Sequence, residues 1–200
     1  MRIADKLTLV RICYAPVFLV FYLLANSESP AFVWFSTHSF IILLILTILL
    51  ALVEFTDYLD GNIARKLKQV SDTGKLLDPF ADALLHITTF FCFTYSRYMP
   101  PILFMIIFYR EFGMIFLRMQ TIKNGVAIAA RPGGKLKTVF YIVAGFWTLA
   151  VNIYEKSGGW SIPCSDYFPV IAIILFSICA LLALISFIDY IVHFAIGIKK

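Results

Sequence analysis

The chain has 200 residues, 61% of them hydrophobic and only 14% charged, with a mean hydropathy of +0.88 and a formal net charge of +5. Soluble domains hold about 45–50% apolar and about 25% charged residues, so the composition argues against a soluble domain, a disordered chain and a basic nucleic-acid-binding arm. A spanning helix takes roughly 20 apolar residues, which gives this length room for about six spans in one polytopic all-α domain, residues 1–200.

Apolar stretches fall at Leu7 to Ala25, Phe32 to Thr56, Pro79 to Tyr95, Pro101 to Met119, Thr138 to Tyr154 and Tyr167 to Ile198, predicting six transmembrane helices. The breaks carry turn chemistry: Asn26 to Pro30, Gly61 to Leu77, Arg97 to Pro100, Asn124 to Gly134, and Lys156 to Pro163 with Gly158 and Gly159 inside it. The first stretch has Arg2 and Lys6 ahead of it, as a signal peptide would. Arg11 and Pro16 interrupt its core and five spans follow, so it is expected to stay. Cys13, Cys92, Cys164 and Cys179 lie far apart in or beside apolar runs, without zinc-site spacing, and read as small buried hydrophobes. His38, His86 and His193 are equally scattered. The 20 phenylalanines read as lipid-facing bulk, and Trp34, Trp147 and Trp160 fit interface anchoring only in part.

Alternate breaks differ sharply in basic residues. One side collects Arg2, Lys6, Arg65, Lys66, Lys68, Lys75, Lys123, Arg131, Lys135, Lys137, Lys199 and Lys200, against Arg97 and Lys156 on the other. Lys and Arg mark the cytoplasmic side, so both termini are expected there, which requires an even number of spans.

Five of the twelve acidic residues are aspartates between positions 57 and 82, from the end of the second stretch to the start of the third. Carboxylates at a membrane edge are costly unless solvated, paired or coordinated. Asp57 and Asp60 are three residues apart and Asp78 and Asp82 four, so each pair shares one face of its own helix. Two such pairs facing each other form an all-oxygen site for a hard divalent cation with positions open to phosphate. Gly61, Gly74 and Ala64 would keep that face shallow, and Arg65 adds a planar donor fork. A diphosphate suits such a pocket. Capping is the plainer alternative: Asp72, outside the spacing, reads as a cap, and Asp78 ahead of Pro79 reads in part as a helix start.

The string Asp57, Asp60-Gly61, Ala64-Arg65, Gly74, Asp78, Asp82 resembles the full signature of the CDP-alcohol phosphotransferase family, eight residues at fixed spacing. The resemblance implies a six-helix membrane enzyme, usually a homodimer, that displaces CMP from a CDP-linked donor with an alcohol. It also implies that Asp57, Asp60 and Asp78 hold a first metal, and that Asp82 adds to a second and serves as the catalytic base. The two ions would be Mg²⁺ or Mn²⁺. Gly61, Ala64, Arg65 and Gly74, with Asp57, Asp60 and Asp78, would line the CDP site.

The acceptor has to be read elsewhere. Arg110 and Arg118, eight residues apart, share one face of the fourth stretch, where arginine calls for a polar cavity or an anion. Lys135, Lys137 and Thr138 are expected around the N-terminus of the fifth, whose free amides and dipole favour an anion. Inside-positive topology would account for some of these charges, and Arg110 with Glu111 could form a structural ion pair. A second anionic pocket nevertheless points to an acceptor carrying its own phosphate.

Arg110-Glu111-Phe112, Leu117-Arg118 and Gly134 to Thr138, with Leu7 to Arg11 and Pro16, also resemble the branch of the family whose acceptor is glycerol 3-phosphate. Ala83 stands where that branch usually has lysine, and Ala4-Asp5 where it has Pro-Asn. The expected substrates are thus CDP-diacylglycerol, within the membrane lipids, and glycerol 3-phosphate. With no long presequence, the expected location is a bacterial inner membrane, with the site at its cytoplasmic face. The rivals are another acceptor (inositol phosphate, serine, or diacylglycerol with CDP-choline) and a divalent-cation carrier using the same aspartates.

Overall fold

The computed structural model describes the backbone of residues 3–67, 74–123, 132–158 and 165–197, and within them the side chains of 8–56, 77–121, 134, 136–158 and 165–192. The described residues are all-helical. Six long helices are α1 (Ile3–Ala25), α3 (Ser39–Leu67), α4 (Gly74–Tyr95), α5 (Pro101–Lys123), α6 (Pro132–Lys156) and α7 (Phe168–Gly197), with a short α2 (Val33–Thr37) between the first two. Four segments are long and apolar enough to cross a membrane: Thr8–Ala25, Ser39–Thr56, Leu136–Lys156 and Ser165–Val192. The chain is a membrane protein. In α4 and α5 the apolar run is diluted by Asp78, Asp82 and His86, and by Arg110, Glu111 and Arg118.

The long helices close a ring. Each packs on two neighbours in the order α1, α4, α5, α7, α6, α3 and back to α1, and α4 also touches α6 across the middle. Thr8 and Arg11 meet Asp78, so the starts of α1 and α4 lie together. Tyr22 meets Phe93 and Asn152, which brings the far ends of α1, α4 and α6 together.

Aromatic side chains fill the space that six helices leave inside. Phe18, Phe90, Phe93 and Phe176 are buried, with Phe90 making edge contacts to Tyr141 at 5.1 Å and Phe176 at 5.2 Å. This corrects the expectation that phenylalanine is lipid-facing bulk, although Phe55, Phe91, Phe112 and Phe116 are exposed on the outside of the ring. A wide interior needs large rings to reach native packing density. Cys92 and Cys179 are buried as expected, whereas Cys13 is exposed. Cys164 and Trp160 lie outside the described residues.

Three boundaries differ from the sequence reading. The second stretch splits at His38, where the Ser36 and Thr37 hydroxyls donate to the Val33 carbonyl and His38 Nδ1 contacts the Trp34 carbonyl. The expected break from Gly61 to Leu77 is mostly helix: α3 runs on to Leu67 and α4 starts at Gly74, with Pro79 inside it. Asp78 is therefore no helix start, and Asp72, the expected cap, lies outside the described residues. Third, α6 begins at Pro132 rather than Thr138, with proline at the first helical position, where its missing N–H costs nothing.

At the end away from Asp78 the turn from α4 to α5 closes on Arg97, at φ 63°, with Arg97 N–H donating to Thr94 and Tyr98 N–H to Phe93. Tyr98 then donates to Glu155 of α6 at 2.5 Å. Burial and the neighbouring carboxylate hold the Tyr98 phenol well above its ordinary range, so it remains a donor. Nearby, Asn152 Nδ2 donates to the Tyr22 hydroxyl at 2.7 Å, both side chains being fully buried. Tyr22→Phe strips that amide of its acceptor and is expected to cost about 1–3 kcal/mol, read as a lower thermal midpoint of the detergent-solubilised protein.

Candidate functional site

Spacing along α4 builds the site. Asp78, Asp82 and His86 recur every fourth residue and therefore stack along one face, with the small Ala81 and Ala83 buried beside them. Asp78 accepts a hydrogen bond from Thr8 Oγ1 and lies 3.9 Å from Arg11 NH2, both on α1. Arg11 is buried, its side chain 8% exposed, while that of Asp78 is 50% exposed. A cation held in the wall thus fixes a carboxylate whose other face is open.

One turn on, the Asp82 side chain is 34% exposed, and its Oδ1 is 3.3 Å from Nε2 of the buried His86. His86 in turn packs edge-on against the Tyr141 ring at 5.4 Å. Two part-exposed carboxylates one turn apart offer oxygen donors of the kind that hard divalent ions prefer, so their chemistry suits such an ion, although among the described residues no third ligand joins them. Asp57, Asp60, Gly61, Ala64 and Arg65 fall on the last turns of α3 and Gly74 opens α4; their side chains lie outside the described residues. Asp78 and Asp82 are therefore the members of the eight-residue string whose surroundings are seen.

The second group of expected residues converges on a carboxylate. Arg110 and Glu111 are adjacent on α5 and both buried, straddling its inward face. Glu111 Oε1 accepts from Lys137 Nζ at 2.7 Å and from the Tyr141 hydroxyl at 3.0 Å, while Oε2 accepts from Arg110 NH1 at 3.0 Å. Arg110 NH2 donates to Ser186 Oγ of α7 at 2.9 Å. Lys137 Nζ also sits 4.4 Å from the centre of the Tyr141 ring. Because α6 starts at Pro132, Lys137 is in its second turn and points into the ring, a correction to its expected place beside the free N-terminal amides. Thr138 Oγ1 bonds back to the Gly134 carbonyl of its own helix at 3.2 Å, and Arg118 is half-buried two turns beyond Arg110. The side chains of Lys135 and Arg131 lie outside the described residues.

Arg110 and Lys137 are thus brought together, Arg118 and Thr138 are not linked to them by any described hydrogen bond, and Glu111 is the hub. The sequence signalled Glu111 only as a possible partner of Arg110. Tyr141 and Ser186 carried no signal, since an aromatic and a serine in apolar helices are ordinary. The two groups adjoin through ring contacts: His86, 3.3 Å from Asp82 Oδ1, packs edge-on against Tyr141, whose hydroxyl donates to Glu111.

Comparison with known proteins agrees with the string. The family model described as CDP-alcohol phosphatidyltransferase matches residues 1–193. The chain is 32% identical over 208 residues to the CDP-diacylglycerol–glycerol-3-phosphate 3-phosphatidyltransferase of Treponema pallidum, covering 100% of this chain and 92% of that one. Proteins of the same name from Bacillus subtilis and Aquifex aeolicus are 32% and 26% identical, covering 72% and 95% of this chain and 74% and 94% of theirs. The chain belongs to the CDP-alcohol phosphatidyltransferase family and is a CDP-alcohol-dependent phosphotransferase.

Proposed function

We propose that the chain transfers the phosphatidyl group of CDP-diacylglycerol to the sn-1 hydroxyl of glycerol 3-phosphate, giving phosphatidylglycerophosphate and CMP. The relatives' names support this donor and acceptor. The observation that carries the reading is the pairing of open carboxylates on α4 with buried cations at Arg110 and Lys137. The first group suits a metal-bound diphosphate. The second suits an acceptor with its own phosphate, and neither choline nor ethanolamine would be drawn to it.

Asp57, Asp60, Asp78 and Asp82 would hold Mg²⁺ or Mn²⁺, which when bound offset charge on the diphosphate and on the departing CMP. Asp57, Asp60, Gly61, Ala64, Arg65, Gly74 and Asp78 line the CDP site. Asp82 takes the hydroxyl proton as the acceptor oxygen bonds to the β-phosphorus and the bond to CMP breaks, the electron pair leaving with CMP. Arg110, Arg118, Lys135, Lys137 and Thr138 receive the acceptor phosphate. All six long helices would cross a bacterial inner membrane, with both termini and the site on the cytoplasmic side and the chain a homodimer. Acyl chains then stay in the bilayer while the soluble acceptor comes from the cytosol.

An acceptor panel tests the reaction. Purified protein with CDP-diacylglycerol and Mg²⁺ is expected to release CMP with glycerol 3-phosphate, at least about tenfold faster than with serine or inositol phosphate, a margin of about 1.4 kcal/mol in transition-state binding. Chelation of divalent ions should stop release, and their return restore it. Strong release with serine or inositol phosphate and none with glycerol 3-phosphate would overturn the acceptor assignment.

A further inference from the structure

Arg110 is held in an unusual way. Its guanidinium is planar with five N–H donors, so two anchored nitrogens fix the direction of the third. NH1 donates to Glu111 Oε2 at 3.0 Å and NH2 to Ser186 Oγ at 2.9 Å, from two different helices. Nε is buried and, among the described residues, has no hydrogen-bond partner. A buried guanidinium N–H left unpaired is rare, because its lost hydration is not replaced. Glu111 cannot turn to satisfy it, since Lys137 and Tyr141 hold its other oxygen. Ser186 is anchored too, its hydroxyl donating to the Ala183 carbonyl at 3.0 Å.

We propose that Glu111 and Ser186 are positioning residues of the acceptor subsite: they clamp the Arg110 guanidinium so that its unpaired Nε–H is presented to an oxygen of the acceptor's phosphate. The inference rests on the acceptor reading above. Neither residue touches the substrate. Glu111 also lowers the cluster's charge: one carboxylate stands against two cations, which leaves a net positive charge to attract a phosphate monoester. Ser186 brings α7 into acceptor recognition.

The test is a split of kinetic constants in the full-length protein, measured by CMP release with glycerol 3-phosphate and CDP-diacylglycerol varied in turn. Ser186→Ala removes one anchor with little change of volume. Glu111→Asp keeps the buried charge and withdraws it by one methylene, so both variants are expected to fold. Each should raise KM for glycerol 3-phosphate about five- to tenfold, with KM for CDP-diacylglycerol and kcat within about twofold, a loss of roughly 1 kcal/mol. A role in packing alone would leave both KM values unchanged or move them together, and either result overturns the proposal. Arg110→Gln separates it from the reading beneath. If Arg110→Gln raises the acceptor KM while both clamp variants leave it alone, the clamp is wrong and the subsite stands. If Arg110→Gln leaves the acceptor KM unchanged, both fall.

Discussion

Asp82→Asn is expected to lower turnover by about 10²- to 10⁴-fold, the range that loss of a positioned general base produces. The asparagine is isosteric and its amide oxygen can keep the 3.3 Å contact with His86 Nε2, so the α4 face stays in place. What disappears is the charge and the proton affinity. A neutral amide cannot take the proton from an attacking hydroxyl, and it is a poorer ligand for a hard cation than a carboxylate. Both losses act on kcat, whereas a merely structural aspartate, with its side chain 34% exposed on a helix face, would leave turnover within a few-fold. Rate of CMP release at saturating donor and acceptor is the measurement. Near wild-type turnover in Asp82→Asn would remove this residue from the chemistry and leave Asp78 and the α3 aspartates to account for it.

Why Asp78 and Asp82 were legible in the sequence, and the Glu111 hub much less so, has a physical reason. Residues four apart on one helix share a face whatever the tertiary fold, so the α4 constellation follows from spacing alone. Its third member, His86, continues the same rhythm and could have been found by extending the count. The Glu111 cluster joins residues 26, 30 and 76 positions apart in sequence, through hydrogen bonds between α5, α6 and α7. Pairings of that kind depend on ring closure, which hydropathy does not encode. The helix positions were legible for the same reason that their boundaries were not. Apolar composition reports the hydrocarbon-length core of a helix, while α3, α4 and α6 run past it into polar turns made of good helix formers such as Ala64, Arg65, Lys66 and Leu67. The buried phenylalanines show the same limit, because a ring facing lipid and a ring facing the interior have identical hydropathy.

Glu111→Ala should be among the most destabilising substitutions in the chain, at about 3–5 kcal/mol, the usual cost of breaking a buried ion pair from one side. Arg110 and Lys137 are both buried, and each donates to this one carboxylate. Without it, the contact left to Lys137 among the described residues is the face of the Tyr141 ring at 4.4 Å, worth about 2 kcal/mol, and Arg110 retains Ser186. Lys137→Met is expected to cost less, because Glu111 then keeps Arg110 and the Tyr141 hydroxyl and no charge is left alone. The double variant should be more stable than the sum of the two singles implies, since the second change removes a cation that the first has orphaned. Denaturation of the detergent-solubilised protein reads the order directly. If Glu111→Ala unfolds no more easily than Lys137→Met, the carboxylate is not the hub that joins α5 to α6. The same cycle explains why the proposed acceptor subsite is probed with Glu111→Asp and Ser186→Ala: two buried cations around one anion are stable only while the anion stays, so a variant that removes the carboxylate would confound loss of binding with loss of fold.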